Sequence, residues 1–158
     1  MNNFQFSIFN FQKSRQRGFT LIELLVVISI IGVLAALTLV SFSGAQKQTR
    51  DTERRSDLNQ YRNALENYAA SNDGAYPTLS AGDVTDTACN GNDGALDPFL
   101  SSCPADPNNA DGYLEYQIWS NGSDYTLWAD LESGGYWVVC SNGKSGGAEA
   151  APTGACNL

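Results

Sequence analysis

Histidine is missing from the chain altogether, and with it go the commonest general base and the commonest protein ligand for metals. No two cysteines have the Cys-x-x-Cys spacing, which argues against a zinc site. No proline occurs before Pro77, so a helix in the first half of the chain meets no obligatory break. Bases are scarce in the second half: from Asn72 onward Lys144 stands alone against twelve acids, a net of -11 by direct count. Such a surface repels nucleic acid phosphates, so no direct nucleic acid partner is expected, while cations are attracted. A length of 158 residues allows one modest domain plus an extended part, with no room for a second, enzyme-sized core. No acidic pair stands out to support a secreted hydrolase.

Residues 1–18 hold Lys13, Arg15 and Arg17 without a single acid, preceded by Phe4, Phe6, Phe9 and Phe11 in no core-forming period. This stretch reads as a processed leader, the alternative being an ordinary disordered terminus. Residues 19–40 are apolar apart from Glu23 and a few small or hydroxyl side chains. As a helix they measure about 33 Å, close to the ~30 Å hydrocarbon thickness of a bilayer. A signal peptide cut near Ser41-Phe42-Ser43 is the alternative, but the run is longer than the usual apolar region of ~7–15 residues. Positive charge on both flanks (Lys13, Arg15 and Arg17 against Lys47, Arg50, Arg54 and Arg55) leaves orientation open. The acidic, cysteine-bearing C-terminal part settles it outward.

Residues 45–71 keep helical character, with Leu58, Tyr61, Leu65 and Tyr68 at steps of three and four forming one apolar stripe able to lie on a sheet. Arg50, Asp51, Glu53, Arg54, Arg55 and Asp57 are expected on the remaining faces. Asn72-Asp73-Gly74 and then Pro77 supply the stop. Together the two stretches predict one helix of roughly 50 residues, weakest at Ser43-Gly44. Residues 79–112 read as a long loop. Alternation over 113–119 and 124–131 around Asn121-Gly122 predicts a hairpin, and Gly134-Gly135 opens a third strand over 136–140. Asn121-Gly122-Ser123 is also a glycosylation sequon, although the turn already explains it. Cys89, Cys103, Cys140 and Cys156 form an even set that suggests disulfides made outside the cytoplasm. Of three possible pairings, Cys89 with Cys103 and Cys140 with Cys156 is favoured, because each closes a short, otherwise loose loop.

Arg17-Gly18-Phe19-Thr20-Leu21-Ile22-Glu23, followed by the uninterrupted apolar span, resembles the processing site of type IV prepilins and type II secretion pseudopilins. The resemblance is close over residues 17–45 and only architectural beyond about residue 78. It implies an α+β pilin fold: a long N-terminal helix packed on an antiparallel sheet of three to four strands. The implied organisation is a leader over 1–18, a transmembrane and filament-core helix over 19–44, an amphipathic half over 45–73, an αβ loop over 74–112, and sheet plus disulfide-bounded region over 113–158. It further implies cleavage after Gly18 and N-methylation of Phe19 by a prepilin peptidase and methyltransferase. Membrane lipid, an inner-membrane assembly platform, further copies of the chain and other pilins are the implied partners. The implied location is the inner membrane as a single-pass precursor, and then an extracellular or periplasmic filament. Many pilins carry a proline late in the apolar segment, and here there is none. Gly32 is either a site of close helix approach or of local melting, as the resemblance implies, or a tolerated membrane glycine.

Glu23 needs a reason on physical grounds, since a carboxylate at mid-bilayer costs ~2.5–3.5 kcal/mol. Cleavage after Gly18 creates a cationic amine on Phe19, with an unperturbed pKa of about 8. Axially offset helices of neighbouring subunits then allow Glu23 of one to pair with Phe19 of the next and fix register. Snorkelling of Glu23 to the head groups is the alternative. Major pseudopilins bind calcium in a C-terminal loop, so a structural Ca2+ held by oxygens from Asp83, Asp86, Asn90, Asn92, Asp93, Asp97, Asp106 or Asp111, with Asp93 and Asp97 favoured, is a further expectation beside a merely solvated acidic loop. The functions left open are a pilus subunit, a secretion or competence pseudopilin, and a minor tip pilin binding ligands through Trp119, Trp128 or Trp137. Simple sheet packing of those tryptophans is the competing reading.

Overall fold

The computed structural model describes residues 18–89, 94–108 and 116–158. The leader before Gly18, together with Asn90, Asn92, Asp93, Asp111 and the expected strand residues 113–115, therefore lies outside the described residues. The chain divides into two units, Met1–Val40 and Ser41–Leu158.

A single helix, α1 (Leu21–Ser71, 51 residues), supplies elements to both units and shows no break at Ser43-Gly44. It ends as its sequence dictates. Asp73 and Gly74 adopt left-handed φ of 55° and 83°, and the Gly74 N–H donates to the Ala69 carbonyl at 2.8 Å, the long hydrogen bond of a glycine-type helix stop.

In the second unit five strands follow: β1 (Thr78–Asp83), β2 (Gln117–Asn121), β3 (Tyr125–Asp130), β4 (Tyr136–Cys140) and β5 (Ser145–Ala148). They form one antiparallel meander in the order β1-β2-β3-β4-β5. The expectation of three to four strands is corrected to five. β1 lies inside what reads as loop, because a bulge sets Ser80 and Ala81 against Trp119 alone and breaks the two-residue period. β5 is Ser145-Gly146-Gly147-Ala148, a strand with almost no side chains from which to read alternation. Gly135 must be glycine here: its φ is +76°, and a Cβ would lie 2.8 Å from the Ala148 carbonyl oxygen.

The side-chain alternation sorts residues onto two faces. Tyr116, Ile118, Tyr125, Leu127, Ala129 and Val139 pack with Leu58, Tyr61, Ala64 and Leu65 of α1. Complete burial of Leu58 or Leu65 stabilises the unit by about 1.5–3 kcal/mol each. Trp128, Val138 and Cys140 face the other way, against Trp119, Tyr136 and Cys156. The Cys140–Cys156 disulfide (Cα atoms 5.8 Å apart) thus folds the C-terminal tail over the outer sheet face. The Cys89–Cys103 disulfide (Cα atoms 6.3 Å apart) closes the segment after β1. That segment is further pinned by fully buried Leu96 and by the Tyr61 hydroxyl, which donates to the Pro104 carbonyl at 2.6 Å.

Candidate functional site

Gly18, Phe19 and Glu23 sit together at the start of α1. Thr20 is the N-cap. Its Oγ1 accepts from the Glu23 N–H at 3.3 Å, and the Glu23 carboxylate accepts from both the N–H and the hydroxyl of Thr20 at 2.8 Å. This reciprocal capping box satisfies orphan donors of the first turn and holds Glu23 beside the residue that follows Phe19. Phe19 is 85 % exposed and Leu21 88 %, and the apolar side chains from Ile22 to Leu37 are likewise exposed. The most apolar 18-residue window of α1 has mean hydropathy 2.8 and none of it is buried. Soluble proteins rarely leave a contiguous apolar surface larger than a few hundred Å2 uncovered, so this one calls for lipid or other helices.

The second unit contains a buried ion network that departs from the sequence reading. Arg54, Asp51 and Asp57, expected on polar faces, are buried. Arg54 donates from Nη1 to Asp51 at 2.8 Å, from Nε and Nη2 to both carboxylate oxygens of Asp106 at 2.6 and 3.0 Å, and from Nη2 to Glu132 at 3.0 Å. Arg50 grips Glu132 with two hydrogen bonds, at 2.6 and 2.5 Å. Asp51 also accepts the N–H groups of Glu132 and Ser133, at 2.8 and 3.0 Å, in the turn between β3 and β4. The Arg50 and Arg54 guanidiniums hold the Glu132 carboxyl down at about 2. Burial pushes Asp51 up, but the hydrogen bonds from Ser133, Glu132 and Arg54 outweigh it and leave Asp51 below its ordinary value. Burial raises Asp57 despite a hydrogen bond from the Tyr116 hydroxyl. One guanidinium therefore ties α1 to the β3–β4 turn and to the segment that follows Cys103.

A family model for the prokaryotic N-terminal methylation motif matches residues 13–39. The type II secretion system core protein G of Pseudomonas aeruginosa is 33% identical over 145 residues, covering 87% of this chain and 92% of that protein. The Escherichia coli protein of the same name is 34% identical over 130 residues, 77% of this chain and 78% of that protein. The chain belongs to the type IV pilin and type II secretion pseudopilin family. Other members match over less: the Aeromonas hydrophila core protein G is 41% identical over 71 residues, about half (49%) of its own length. The type IV major pilin protein PilA of Myxococcus xanthus is 46% identical over 44 residues, 28% of this chain and 20% of that protein. No solved structure matches the chain significantly.

Membership in a pilin family gives the exposed apolar half of α1 a structural purpose, and the N-terminal cluster is where sequence and geometry meet. The acidic region is less informative. Among the described residues, the one grouping of metal-ligand types with donor atoms within 4.8 Å of each other is Cys89, Asp97 and Cys103. Both sulfurs are engaged in the disulfide, leaving a single carboxylate where Ca2+ takes six to eight oxygens. Among the described residues Asp97 has no second carboxylate in that grouping, and Asp93 lies outside the described residues. Of the tryptophans, Trp128 is buried in the outer sheet face and Trp119 packs beside it, while Trp137 faces α1. The pilin-type reading missed Arg54 and its partners, although a signal was present. Positions 51 and 54 continue the 58, 61, 65, 68 stripe at helical spacing, so their side chains had to point inward.

Proposed function

We propose that this pilin-family chain is a subunit of the pseudopilus of a type II secretion apparatus, with a retractable type IV pilus as the alternative assembly. The observation that carries the choice is extent: similarity to the core protein G of Pseudomonas aeruginosa runs through 92% of that protein, whereas the pilin PilA match stops at 20%. In this reading a prepilin peptidase cuts after Gly18, and Phe19 becomes the N-methylated first residue. The new amine and the Glu23 carboxylate then set the axial register between adjacent helices, the pair being strengthened by low dielectric.

The precursor crosses the inner membrane once, through the apolar half of α1, with the acidic disulfide-bonded unit outside. An assembly platform then draws subunits out of the lipid, and self-packing of α1 replaces lipid contact. The reading includes a calcium ion held by oxygens of the 83–111 loop, Asp93 and Asp97 among them. Thermal unfolding with and without added Ca2+ tests it, and no shift at millimolar Ca2+ counts against it.

The main test is Glu23→Ala, in cells that carry the secretion apparatus. Membrane insertion measured by fractionation should stay at the wild-type level while sheared filament yield collapses. Equal filament yield would refute the proposed register role, and loss of insertion would show that Glu23 acts before assembly.

A further inference from the structure

Arg55 stands apart from the arginines beside it on α1. Arg50 and Arg54 are saturated by carboxylates, whereas the Arg55 guanidinium carbon lies 4.6 Å from the ring centre of Trp137 and its buried Nε has no hydrogen-bond acceptor among the described residues. An aromatic face orients a guanidinium but does not neutralise it, and the planar donor fork matches a carboxylate.

Two adjoining clefts meet at Arg55 and Ser133. One, of about 580 Å3, runs from the β3–β4 turn to β5, with Gly134, Gly135 and Trp137 in its wall. The other, of about 410 Å3, follows the helix face bearing Lys47, Gln48 and Thr52. Two carboxylates border them. Asp51 is already committed to Arg54 and to two turn amides. Glu149, on the rim of the first cleft, is exposed and not ion-paired to Arg55. The clefts thus offer two cations with no carboxylate partner among the described residues, Lys47 and Arg55, on a unit whose residues from Asn72 onward hold twelve acids against Lys144 alone.

We propose that the Arg55 cleft is the docking site for an exposed carboxylate of a second copy of this chain. Charge complementarity selects the occupant: cations gather near the start of the second unit, while Asp73, Asp97 and Asp124 lie exposed elsewhere on it. A patch that binds a different patch on the next copy makes a heterologous contact, which propagates along a filament instead of closing into a dimer. This deepens the filament reading and rests on it.

The test uses the full chain in cells with the assembly machinery, carrying the photo-crosslinker p-benzoylphenylalanine in place of Thr52. This exposed residue lines the second cleft, and its hydroxyl donates to the Gln48 carbonyl of its own helix. Irradiated filaments should yield an adduct of twice the chain mass, joining the peptide around Thr52 to an acidic peptide from residues 72–158 of another copy. Arg55→Gln should lower that adduct about tenfold, the factor attached to losing a charge-assisted hydrogen bond, while the chain stays folded and its thermal unfolding shifts by no more than the loss of the Trp137 contact accounts for. Arg55→Glu combined with Arg at the mapped carboxylate should restore it. Normal filaments without a two-chain adduct, adducts only to lipid or another protein, or yields indifferent to Arg55→Gln would overturn the proposal. Failure of the unsubstituted chain to form filaments would remove the filament reading itself and this proposal with it.

Discussion

Replacing Arg54 with methionine keeps most of the side-chain volume and deletes the cation at the centre of the buried network. The consequences follow from who loses what. Glu132 retains Arg50 at 2.5 and 2.6 Å, Asp51 keeps the Glu132 and Ser133 amides, and Asp106 keeps, among the described residues, the Asn108 N–H at 2.8 Å. Two carboxylates with side chains 3% and 2% exposed, Asp51 and Asp106, are left without their counter-ion. Removing one partner of a buried pair costs about 3–5 kcal/mol, and the surviving amide donors to Asp51 place this case near 3. For a unit of this size that lowers the melting temperature by roughly 10 °C. The assay is thermal unfolding of the detergent-solubilised full chain at neutral pH, followed by near-ultraviolet circular dichroism.

A pH series adds a second, sign-specific check on the same network. Glu132 is held at about 2 when folded, against an ordinary 4.5, so its contribution is complete above 4.5 and lost as pH falls toward 2. Asp51, also lowered, acts in the same direction, whereas Asp57, raised by burial, opposes it by favouring the folded state in acid. The wild-type protein should therefore lose stability across that window, and the gap to Arg54→Met should narrow. A loss below about 1 kcal/mol at neutral pH, the range of an exposed ion pair, or a gap that widens in acid would refute the reasoning.

Three further outcomes are expected. Cys140→Ser with Cys156→Ser should release the tail from the outer sheet face, shift tryptophan emission to the red as Trp128 and Trp119 meet water, and reduce stability by about 3 kcal/mol in the chain-entropy model. Gly135→Ala should destabilise by about 1–3 kcal/mol in denaturant titration, since it forces both a left-handed φ and a clash with the Ala148 carbonyl. Thr20→Val removes the N-cap and should raise hydrogen exchange of the first-turn amides about fivefold, the equivalent of ~1 kcal/mol, with membrane insertion unchanged.

The elements with strong local chemistry were readable from the sequence. The Leu58, Tyr61, Leu65 stripe, the Asn121-Gly122 turn and the Tyr136–Cys140 strand each carry a period or a backbone demand of their own. β1 and β5 were not, for opposite reasons. A bulge shifts the phase of β1, and glycines leave β5 held by main-chain pairing to β4. The ion network was hidden because charged residues read as surface, yet Arg54 lies on the inward stripe, and of its three carboxylate partners two, Asp106 and Glu132, lie 52 and 78 positions away. At the N-terminal site, Thr20-Leu21-Ile22-Glu23 has the spacing of a capping box. A local partner for Glu23 was thus present in the sequence, beside the partner sought on a neighbouring copy.

The most direct test of the account is mass spectrometry of the intact polypeptide recovered from sheared filaments. A chain that begins at Phe19 and carries one added methyl group on its amine is the predicted result. A filament subunit that keeps residues ahead of Phe19, or begins beyond the apolar half of α1, would contradict it.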